Sequence, residues 1–264
     1  MPAAIETRDL TRTFDDVVAV DHVSLVAATG VIYGLLGSNG AGKSTLIKML
    51  TTLLPPTSGS ARVAGYDVVR QAQLVRARTG YVPQLVSADS QLTGRENLMM
   101  SARLYGVPRR ERAQRIGDAL AFMELDEAAD RLVRGYSGGM IRRLEIAQAL
   151  LHGPEVLFLD EPTVGLDPVA KQTVWTRLEQ LRARGSTTIL LTTHDMEEAE
   201  TLCDRIAILH RGGVQADGTL ADLRAQFGAT RLEDIFIRAA SGAIETEGDY
   251  RAVARERRTA HRLG

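Results

Sequence analysis

The stretch that decides the fold of this chain is Gly37-Ser38-Asn39-Gly40-Ala41-Gly42-Lys43-Ser44-Thr45. An apolar run at 31–36 precedes it and predicts a buried strand, and residues 43–54 after it predict a helix. Glycines let the backbone turn several N–H groups toward one anion, and a helix N-terminus adds positive potential there. We therefore predict a phosphate-binding loop at 37–45, in which Lys43 reaches the β- and γ-phosphates of a nucleotide, Ser44 contacts Mg²⁺ and Thr45 lies beside the α-phosphate.

A second glycine-rich segment, Ser137-Gly138-Gly139, opens the helix predicted at 140–151. A serine before two glycines is also an ordinary N-cap, which is the simpler interpretation when the segment is considered alone. Beside a phosphate-binding loop, the segment indicates a second anion site that faces the nucleotide of a partner chain. The sequence alone permits, without requiring, a two-fold dimer that encloses two nucleotides between the loop of one chain and this segment of the other.

Two adjacent carboxylates, Asp160 and Glu161, end the apolar strand that begins at Val156. A carboxylate at the end of a strand parallel to the first would hold Mg²⁺ directly or through water, and we assign that role to Asp160. Glu161 is the candidate general base, which would accept a proton from the water that attacks the γ-phosphate. The alternative is an acidic pair that caps the next helix.

With these elements in this order, residues 4–225 resemble the ATP-binding cassette (ABC) family. The other segments that carry the resemblance are Tyr81-Val82-Pro83-Gln84, Tyr136-Ser137-Gly138-Gly139, Gly165-Leu166-Asp167 and His194. The resemblance implies an α/β fold of the P-loop NTPase type, with a mostly parallel core sheet, an N-terminal antiparallel β subdomain and an inserted helical subdomain. It also implies an ATP hydrolase that uses ATP and Mg²⁺ and works as a dimer.

The same resemblance implies roles for single residues. Gln84 would contact Mg²⁺ and the attacking water, and His194 would donate a hydrogen bond to the γ-phosphate. Phe14 would stack on adenine with Val20 near the same base, although an aromatic packed within a sheet is the alternative for Phe14. Asp167 would lie across the dimer interface and link the two sites. The expected catalytic set is Lys43, Gln84, Glu161 and His194.

The second segment departs from the commonest family pattern at two positions. Tyr136 stands where leucine is usual, and Met140 stands where glutamine is usual. The Ser-Gly-Gly core is intact, so ATP-dependent closure is still expected. The methionine resembles a branch of drug and antibiotic exporters of the daunorubicin-resistance type, and the segment 231–236 is similar to that branch as well.

Composition agrees with a large intracellular domain. The chain has 264 residues and a net charge of −1, so its overall charge gives no general attraction to nucleic acid. Cys203 is the single cysteine, which excludes an intrachain disulfide and fits a reducing compartment. No apolar run approaches the roughly 20 residues that span a bilayer, and charges at 6, 8 and 9 argue against a signal peptide. A peripheral location on the cytoplasmic face of the cell membrane would therefore depend on a partner.

The sequence predicts one ATPase domain at 4–228, with a core lobe at about 4–84 and 154–228 and a helical lobe at about 85–153. Residues 229–264 form a C-terminal extension. Its polar end beyond Gly242 carries five arginines, which predict a solvated, partly flexible tail or, as the weaker alternative, a contact with anionic lipid.

Two function classes remain open from the sequence. The first is the motor of a transporter, in which the chain pairs with a second copy or a paralogous ATPase subunit and drives an integral membrane permease. The resemblance favours export of a drug, antibiotic or other amphipathic compound. The second is a soluble ATPase that acts on DNA or ribosomes. The chain lacks the long coiled coil or second cassette of such ATPases, so the transporter is favoured and no nucleic-acid partner is expected.

Overall fold

The computed structural model of the chain describes residues 3–185 and 187–240. In chain order, its strands are β1 (Ala3–Phe14), β2 (Val17–Val23), β3 (Val26–Ala28), β4 (Ile32–Leu36), β5 (Ser58–Val63), β6 (Tyr66–Asp67), β7 (Thr79–Val82), β8 (Val156–Asp160), β9 (Thr188–Thr193), β10 (Arg205–His210) and β11 (Gly213–Gly218). Its helices are α1 (Lys43–Leu50), α2 (Ala72–Arg78), α3 (Gly94–Leu104), α4 (Arg109–Phe122), α5 (Gly138–Leu150), α6 (Pro168–Ala183), α7 (Met196–Leu202), α8 (Leu220–Phe227) and α9 (Leu232–Ala240).

A six-stranded sheet forms the centre of the molecule, with the strand order β11-β10-β4-β9-β8-β7. All neighbours pair in parallel except β10 and β11, which form an antiparallel hairpin. Every residue of β4, β8 and β9 is buried, as expected for parallel strands covered on both faces. The carboxyl ends of β4, β8 and β9 meet at one edge, which is where an open α/β sheet presents its ligand site.

A second, antiparallel sheet has the order β2-β1-β5-β6, with β3 paired to β1. Alternate residues of this sheet, such as Ile5, Leu10 and Val63, are buried in one apolar cluster with Leu46 and Tyr33. The sheet therefore packs on the side of the core that carries α1. The sequence predicted the mostly parallel core sheet and the antiparallel N-terminal part, and the structure confirms both.

The segment between β7 and β8 is helical, and α3, α4 and α5 pack around a separate apolar cluster. Leu98, Ile116 and Leu144 represent the three helices in that cluster, and Leu178 of α6 joins it. Thr93 and Glu96 form a capping box at the start of α3, which fixes where this helix begins. This segment is the helical insertion that the sequence predicts, and the division of the domain at about 84 and 154 stays a prediction.

Several predicted boundaries were wrong. Helix α1 ends at Leu50 and not near residue 54, because Thr52 takes a left-handed backbone with φ 64°. The chain after β1 forms two strands, β2 and β3, instead of one continuous strand. Helix α2 was not predicted; it is only seven residues long and buries only Val75. Helix α9 was not predicted either. It buries Leu232, Ile235 and Ala239 in an apolar cluster with side chains of β10 and α8.

The arginine-rich tail beyond Gly242 lies outside the described residues. Within residues 3–185 and 187–240, none of the helices combines the length and the apolar character that crossing a bilayer requires.

Candidate functional site

The glycine-rich loop connects the carboxyl end of β4 to α1. Gly40 and Gly42 have φ angles of 80° and 101°, and a Cβ on Gly42 would lie 2.4 Å from the carbonyl oxygen of Ala19. Both the backbone angle and this close approach require glycine. Gly42 is the residue that precedes α1, so the loop N–H groups and the positive end of that helix converge on one space, as an anion site needs.

Lys43 is the first residue of α1 and is only 5% exposed. Its Nζ donates to the carbonyl oxygens of Gly37 at 2.7 Å and Ser38 at 3.2 Å, and it lies 3.3 Å from Oε1 of Glu161. A buried ammonium needs such partners to offset the loss of hydration. The loop therefore holds a positive charge at its centre, directly beside the carboxylate of Glu161, the residue after β8.

Asp160 connects the loop to the neighbouring strand. Its Oδ1 accepts hydrogen bonds from Oγ of Ser44 at 3.1 Å and from Oγ1 of Thr192 at 2.6 Å. Mg²⁺ is bound in proteins by one or two such oxygens together with water and substrate phosphates. The described residues contain no cluster of three or more His, Cys, Asp or Glu side chains that could hold a metal alone. The donor set at Ser44 and Asp160 fits Mg²⁺ that arrives with a nucleotide.

Glu161 occupies a strained position at the end of β8. Its φ is 50°, and its N–H donates to both the carbonyl oxygen and Oγ1 of Thr192, at 3.2 and 3.0 Å. Its side chain is almost fully buried between Lys43 and His194, whose Nδ1 lies 3.1 Å from Oε2. A non-glycine residue in this conformation persists only where its surroundings fix it, which is typical of active sites.

A cavity of about 560 Å³ connects the loop to Phe14 at the end of β1. Ala19, Gln84 and Glu161 also line it, with the loop residues Asn39 to Thr45. The guanidinium of Arg12 lies 4.5 Å from the centre of the Phe14 ring, and the ring is 41% exposed. One face of the ring is thus covered by a cation, and an exposed part of the ring borders the cavity.

Val20, which the resemblance places near the base, does not line this cavity. Val20 is completely buried in the core, and its neighbour Ala19 lines the cavity instead. Successive side chains of a strand point to opposite faces, so an error of one residue exchanges core and cavity. The pairing of β1 with β2 contains two register shifts, at Leu10/Arg12 and Arg12/Thr13, which the sequence does not reveal.

Gln84 follows β7 and lines the same cavity, and its backbone is held by residues that the sequence analysis did not single out. Arg142 donates to the carbonyl oxygens of Pro83 at 2.8 Å and Gln84 at 3.1 Å, and it pairs with Glu145 at 3.1 Å. Burial lowers the pKa of Arg142, and the negative charge of Glu145 opposes that effect. No sequence pattern marks Arg142, Glu145 or Thr192, because the loop and strand residues that they hold are distant in the chain.

The second glycine-rich segment lies away from this cavity. Oγ of Ser137 accepts from the N–H of Met140 at 3.3 Å, so the ordinary N-cap interpretation describes its local role in one chain. Ser137 and Gly138 are nevertheless exposed, at the positive end of a 13-residue helix. Tyr136, the unusual residue before them, buries its ring and donates its hydroxyl to the carbonyl oxygen of Ala128 at 2.7 Å. Its replacement of leucine thus serves packing of the helical segment.

Asp167 caps α6. Its Oδ1 accepts from the N–H groups of Val169 and Ala170 at 3.0 and 2.9 Å, and the residue is exposed. Within one chain it does not reach the cavity beside Phe14. The structure thus brings Lys43, Ser44, Asp160, Glu161, Gln84 and His194 to one edge of the core sheet. It leaves Ser137, Gly138 and Asp167 on exposed surface, while Gly139 is buried.

Three comparisons with known proteins agree on one family. The family model described as "ABC transporter" matches residues 20–164. The chain is 45% identical to the daunorubicin/doxorubicin resistance ATP-binding protein DrrA of Streptomyces peucetius over 240 residues, which covers 89% of this chain and 72% of that protein. It is also 45% identical to the Nod factor export ATP-binding protein I of Sinorhizobium fredii, over 81% of this chain and 62% of that one. A solved ATP-binding subunit of an ABC transporter superposes with a TM-score of 0.80 at 33% identity, covering 89% of this chain and 99% of that one.

Proposed function

Because the chain belongs to the ABC transporter family, we propose that it is the ATP-hydrolysing subunit of a membrane exporter and that it works by closing as a dimer around two ATP molecules. ATP-binding proteins of this family are ATPases, and this chain is one of them. The observation that carries the proposal is the buried Glu161 carboxylate, which lies between Lys43 and His194 and next to the Ser44–Asp160 pair.

In the proposed reaction, the phosphates of ATP lie on the loop at 37–45 and Lys43 exchanges its contacts with loop carbonyls and Glu161 for the β- and γ-phosphates. Glu161 accepts a proton from water as the water oxygen bonds to the γ-phosphorus and the bond to the β-phosphate oxygen breaks. His194 donates to a γ-phosphate oxygen. Ser44, Asp160 and Gln84 would hold Mg²⁺, which neutralises charge on the phosphate oxygens when it is bound.

The adenine would stack on the exposed part of Phe14, whose covered face lies against Arg12. The loop residues that line the cavity surround the phosphate end of the same space. This arrangement supports the assignment of residues 37–45, Phe14, Gln84 and Asp160 to nucleotide binding.

The dimer completes the site in this proposal. The N-terminus of α5, where Ser137 and Gly138 are exposed, offers backbone N–H groups and positive potential to an anion outside the chain. The γ-phosphate held by a second chain is the anion it fits, and Asp167 would contact that chain across the same interface. The partner is a second copy of this chain or a paralogous ATPase subunit.

A membrane partner is supported by exposed apolar side chains in the segment after Gln84 and on α3. Leu85 and Val86, directly after Gln84, are 81% and 63% exposed, and Leu104 at the end of α3 is 78% exposed. Soluble surfaces rarely cluster such residues unless they bind a partner. We assign this surface, residues 85–86 with Met100, Leu104 and Tyr105, to the cytoplasmic side of a permease.

The relatives' names support export of a drug, antibiotic or other amphipathic compound, and a peripheral position on the cytoplasmic face of the membrane. The alternative of a soluble ATPase for DNA or ribosomes has no support among these relatives. A non-hydrolytic switch is disfavoured by Glu161.

The function is tested by phosphate release from the purified chain and from Glu161→Gln. The variant keeps the shape of the side chain but cannot accept the proton, so hydrolysis is expected to fall at least about a hundredfold, the usual scale for loss of a general base. ATP affinity should be retained. Glu127→Gln, an identical change on the exposed surface of the helical segment, is the matched control and should hydrolyse ATP like the parent. Turnover at the parental rate in Glu161→Gln would remove Glu161 from the role of base.

A further inference from the structure

The helix that carries the second glycine-rich segment contains a buried ion pair. Arg142 and Glu145 lie on α5, three residues apart, with side chains only 7% and 2% exposed, and Nη1 of Arg142 is 3.1 Å from Oε2 of Glu145. Charged side chains are seldom buried in this way, because the loss of hydration costs more than most ion pairs regain. The remaining hydrogen-bonding groups of both side chains therefore need partners.

All of the other hydrogen bonds of this pair go to the segment that follows β7. Arg142 donates to the carbonyl oxygens of Pro83 and Gln84 at 2.8 and 3.1 Å. Oε1 of Glu145 accepts from both the N–H and the hydroxyl of Ser87, the latter at 2.9 Å. The pair thus holds both ends of residues 83–87, which we call the glutamine loop.

Between these two attachment points lie the parts of the loop that face outward. The side chain of Gln84 lines the nucleotide cavity, while Leu85 and Val86 are exposed on the surface assigned above to the permease. At the other end, Arg142 lies about one turn along α5 from Gly138, where the helix offers its N-terminus to a partner chain. The side chains of Arg142 and Glu145, with four hydrogen bonds and one ion pair, therefore connect the nucleotide cavity, the exposed residues Leu85 and Val86, and the N-terminus of α5.

A buried ion pair is a weak source of stability, because apolar side chains of similar volume often stabilise a core as well or better. The pair instead defines one position of the glutamine loop relative to α5, since each hydrogen bond has a fixed direction. Without the pair, the loop and the helix could each move while the apolar cluster of the helical segment stayed intact.

We propose that Arg142 and Glu145 are positioning residues that make the glutamine loop and the helix of the second glycine-rich segment move as one body. ATP bound at Gln84 in one chain thereby sets the position of Ser137 to Gly139, which close on the partner's ATP, and of Leu85 and Val86, which contact the permease. This inference rests on the proposed function, and it adds the connection between the nucleotide cavity and the two outer surfaces.

The test replaces both charges together, as Arg142→Met with Glu145→Met, so that neither is left buried and unpaired. The replacement is made in Glu161→Gln chains, which retain ATP, and a fluorophore is attached at Leu85→Cys in a Cys203→Ala background, where no other cysteine remains. Three quantities are measured: ATP affinity at low protein concentration, ATP-dependent dimer formation, and the ATP-induced change in fluorescence at position 85. The control replaces the exposed pair of the same helical segment, as Arg95→Gln with Asp130→Asn.

We expect ATP affinity within twofold of the parent, because the phosphate-binding loop is untouched. The ATP concentration for half-maximal dimerisation should rise about tenfold, the ordinary scale of coupling between two sites, and the fluorescence change should be largely lost. The control pair should change none of the three. Parental dimerisation and fluorescence in the Arg142/Glu145 variant would overturn the inference while leaving the proposed function intact. Absence of ATP-dependent dimerisation in the parent itself would overturn both.

Discussion

At the scale of single residues, the catalytic edge of the core sheet depends on one hydroxyl that the sequence does not mark. Oγ1 of Thr192, fully buried in β9, donates to Asp160 at 2.6 Å and accepts from the N–H of Glu161 at 3.0 Å. It therefore orients the carboxylate proposed to hold Mg²⁺ and at the same time holds the left-handed backbone of Glu161, the proposed base. Because Thr192 acts through these two residues, it is a positioning residue.

Thr192→Val keeps the shape of the side chain and removes this hydroxyl. A hydrogen bond to a charged group is worth about 1.5 kcal/mol or more, so we expect kcat for ATP hydrolysis to fall about tenfold. The Mg²⁺ concentration for half-maximal activity should rise as well, since Asp160 loses an orienting contact. Both quantities come from steady-state phosphate release at varied Mg²⁺. Thr192→Ser restores the hydroxyl and should recover most of the activity; equal loss in both variants would show that packing, and not the hydrogen bond, matters.

The residues that the sequence could predict are those whose position follows from local pattern. Lys43 and Ser44 belong to a contiguous loop, and Asp160 and Glu161 end an apolar strand, so their meeting at one sheet edge follows from parallel topology. Arg142, Glu145 and Thr192 could not be found in this way, because these contacts join positions 31 or more residues apart and depend on packing. Val20 shows the same limit, since a register shift decides which side of β2 faces the cavity.

At the scale of helices and strands, the cap of α6 combines a local role with a proposed contact between chains. Asp167 accepts from two N–H groups of α6 and is exposed. Two other helices also have side-chain caps: Asp195 caps α7, and Thr219 and Asp222 form a capping box at α8. The local pattern of caps and apolar runs did not predict α2 or α9, because the first is only seven residues long with one buried side chain and the second is stabilised by packing on the core.

Asp167→Ala and Asp167→Ser separate the two roles of this residue. Alanine removes the cap and should lower the free energy of unfolding by about 1 kcal/mol, whereas serine keeps it, as measured by urea denaturation. Both variants lose the carboxylate, so both should weaken ATP-dependent dimerisation. A serine variant that dimerises like the parent would place Asp167 outside the interface.

The apolar surface at the glutamine loop and α3 leads to a second prediction at this scale. Leu85→Asp with Leu104→Asp should abolish co-purification with a permease from a neighbouring reading frame, because two charges would have to be desolvated in the contact. ATP hydrolysis by the isolated chain should stay within twofold of the parent. The matched control is Leu53→Asp with Val69→Asp, residues of comparable exposure, 60% and 57%, elsewhere on the surface. Retained binding in the first variant would contradict the assignment of this surface.

At the scale of the whole molecule, one chain contains the parts of the proposed site on two separate surfaces. The phosphate-binding loop, Asp160, Glu161 and His194 share one edge of the core sheet, while Ser137 and Gly138 lie exposed at the start of α5. The fold class was predictable, because the glycine-rich loop and the apolar parallel strands define it. The arrangement of two chains was not, since a helix N-terminus serves equally well as a simple cap.

The central claim is that ATP closes two copies of this chain around two nucleotides. The most direct measurement is the mass of the Glu161→Gln variant in solution by light scattering, with and without ATP and Mg²⁺, together with the number of nucleotides bound. We predict a monomer of 28.7 kDa without ATP and a particle of twice that mass with two ATP molecules in its presence. Ser137→Arg, which fills the exposed end of α5, should return the monomer while leaving ATP bound. A variant that binds ATP with full affinity and stays monomeric at all concentrations would contradict the account.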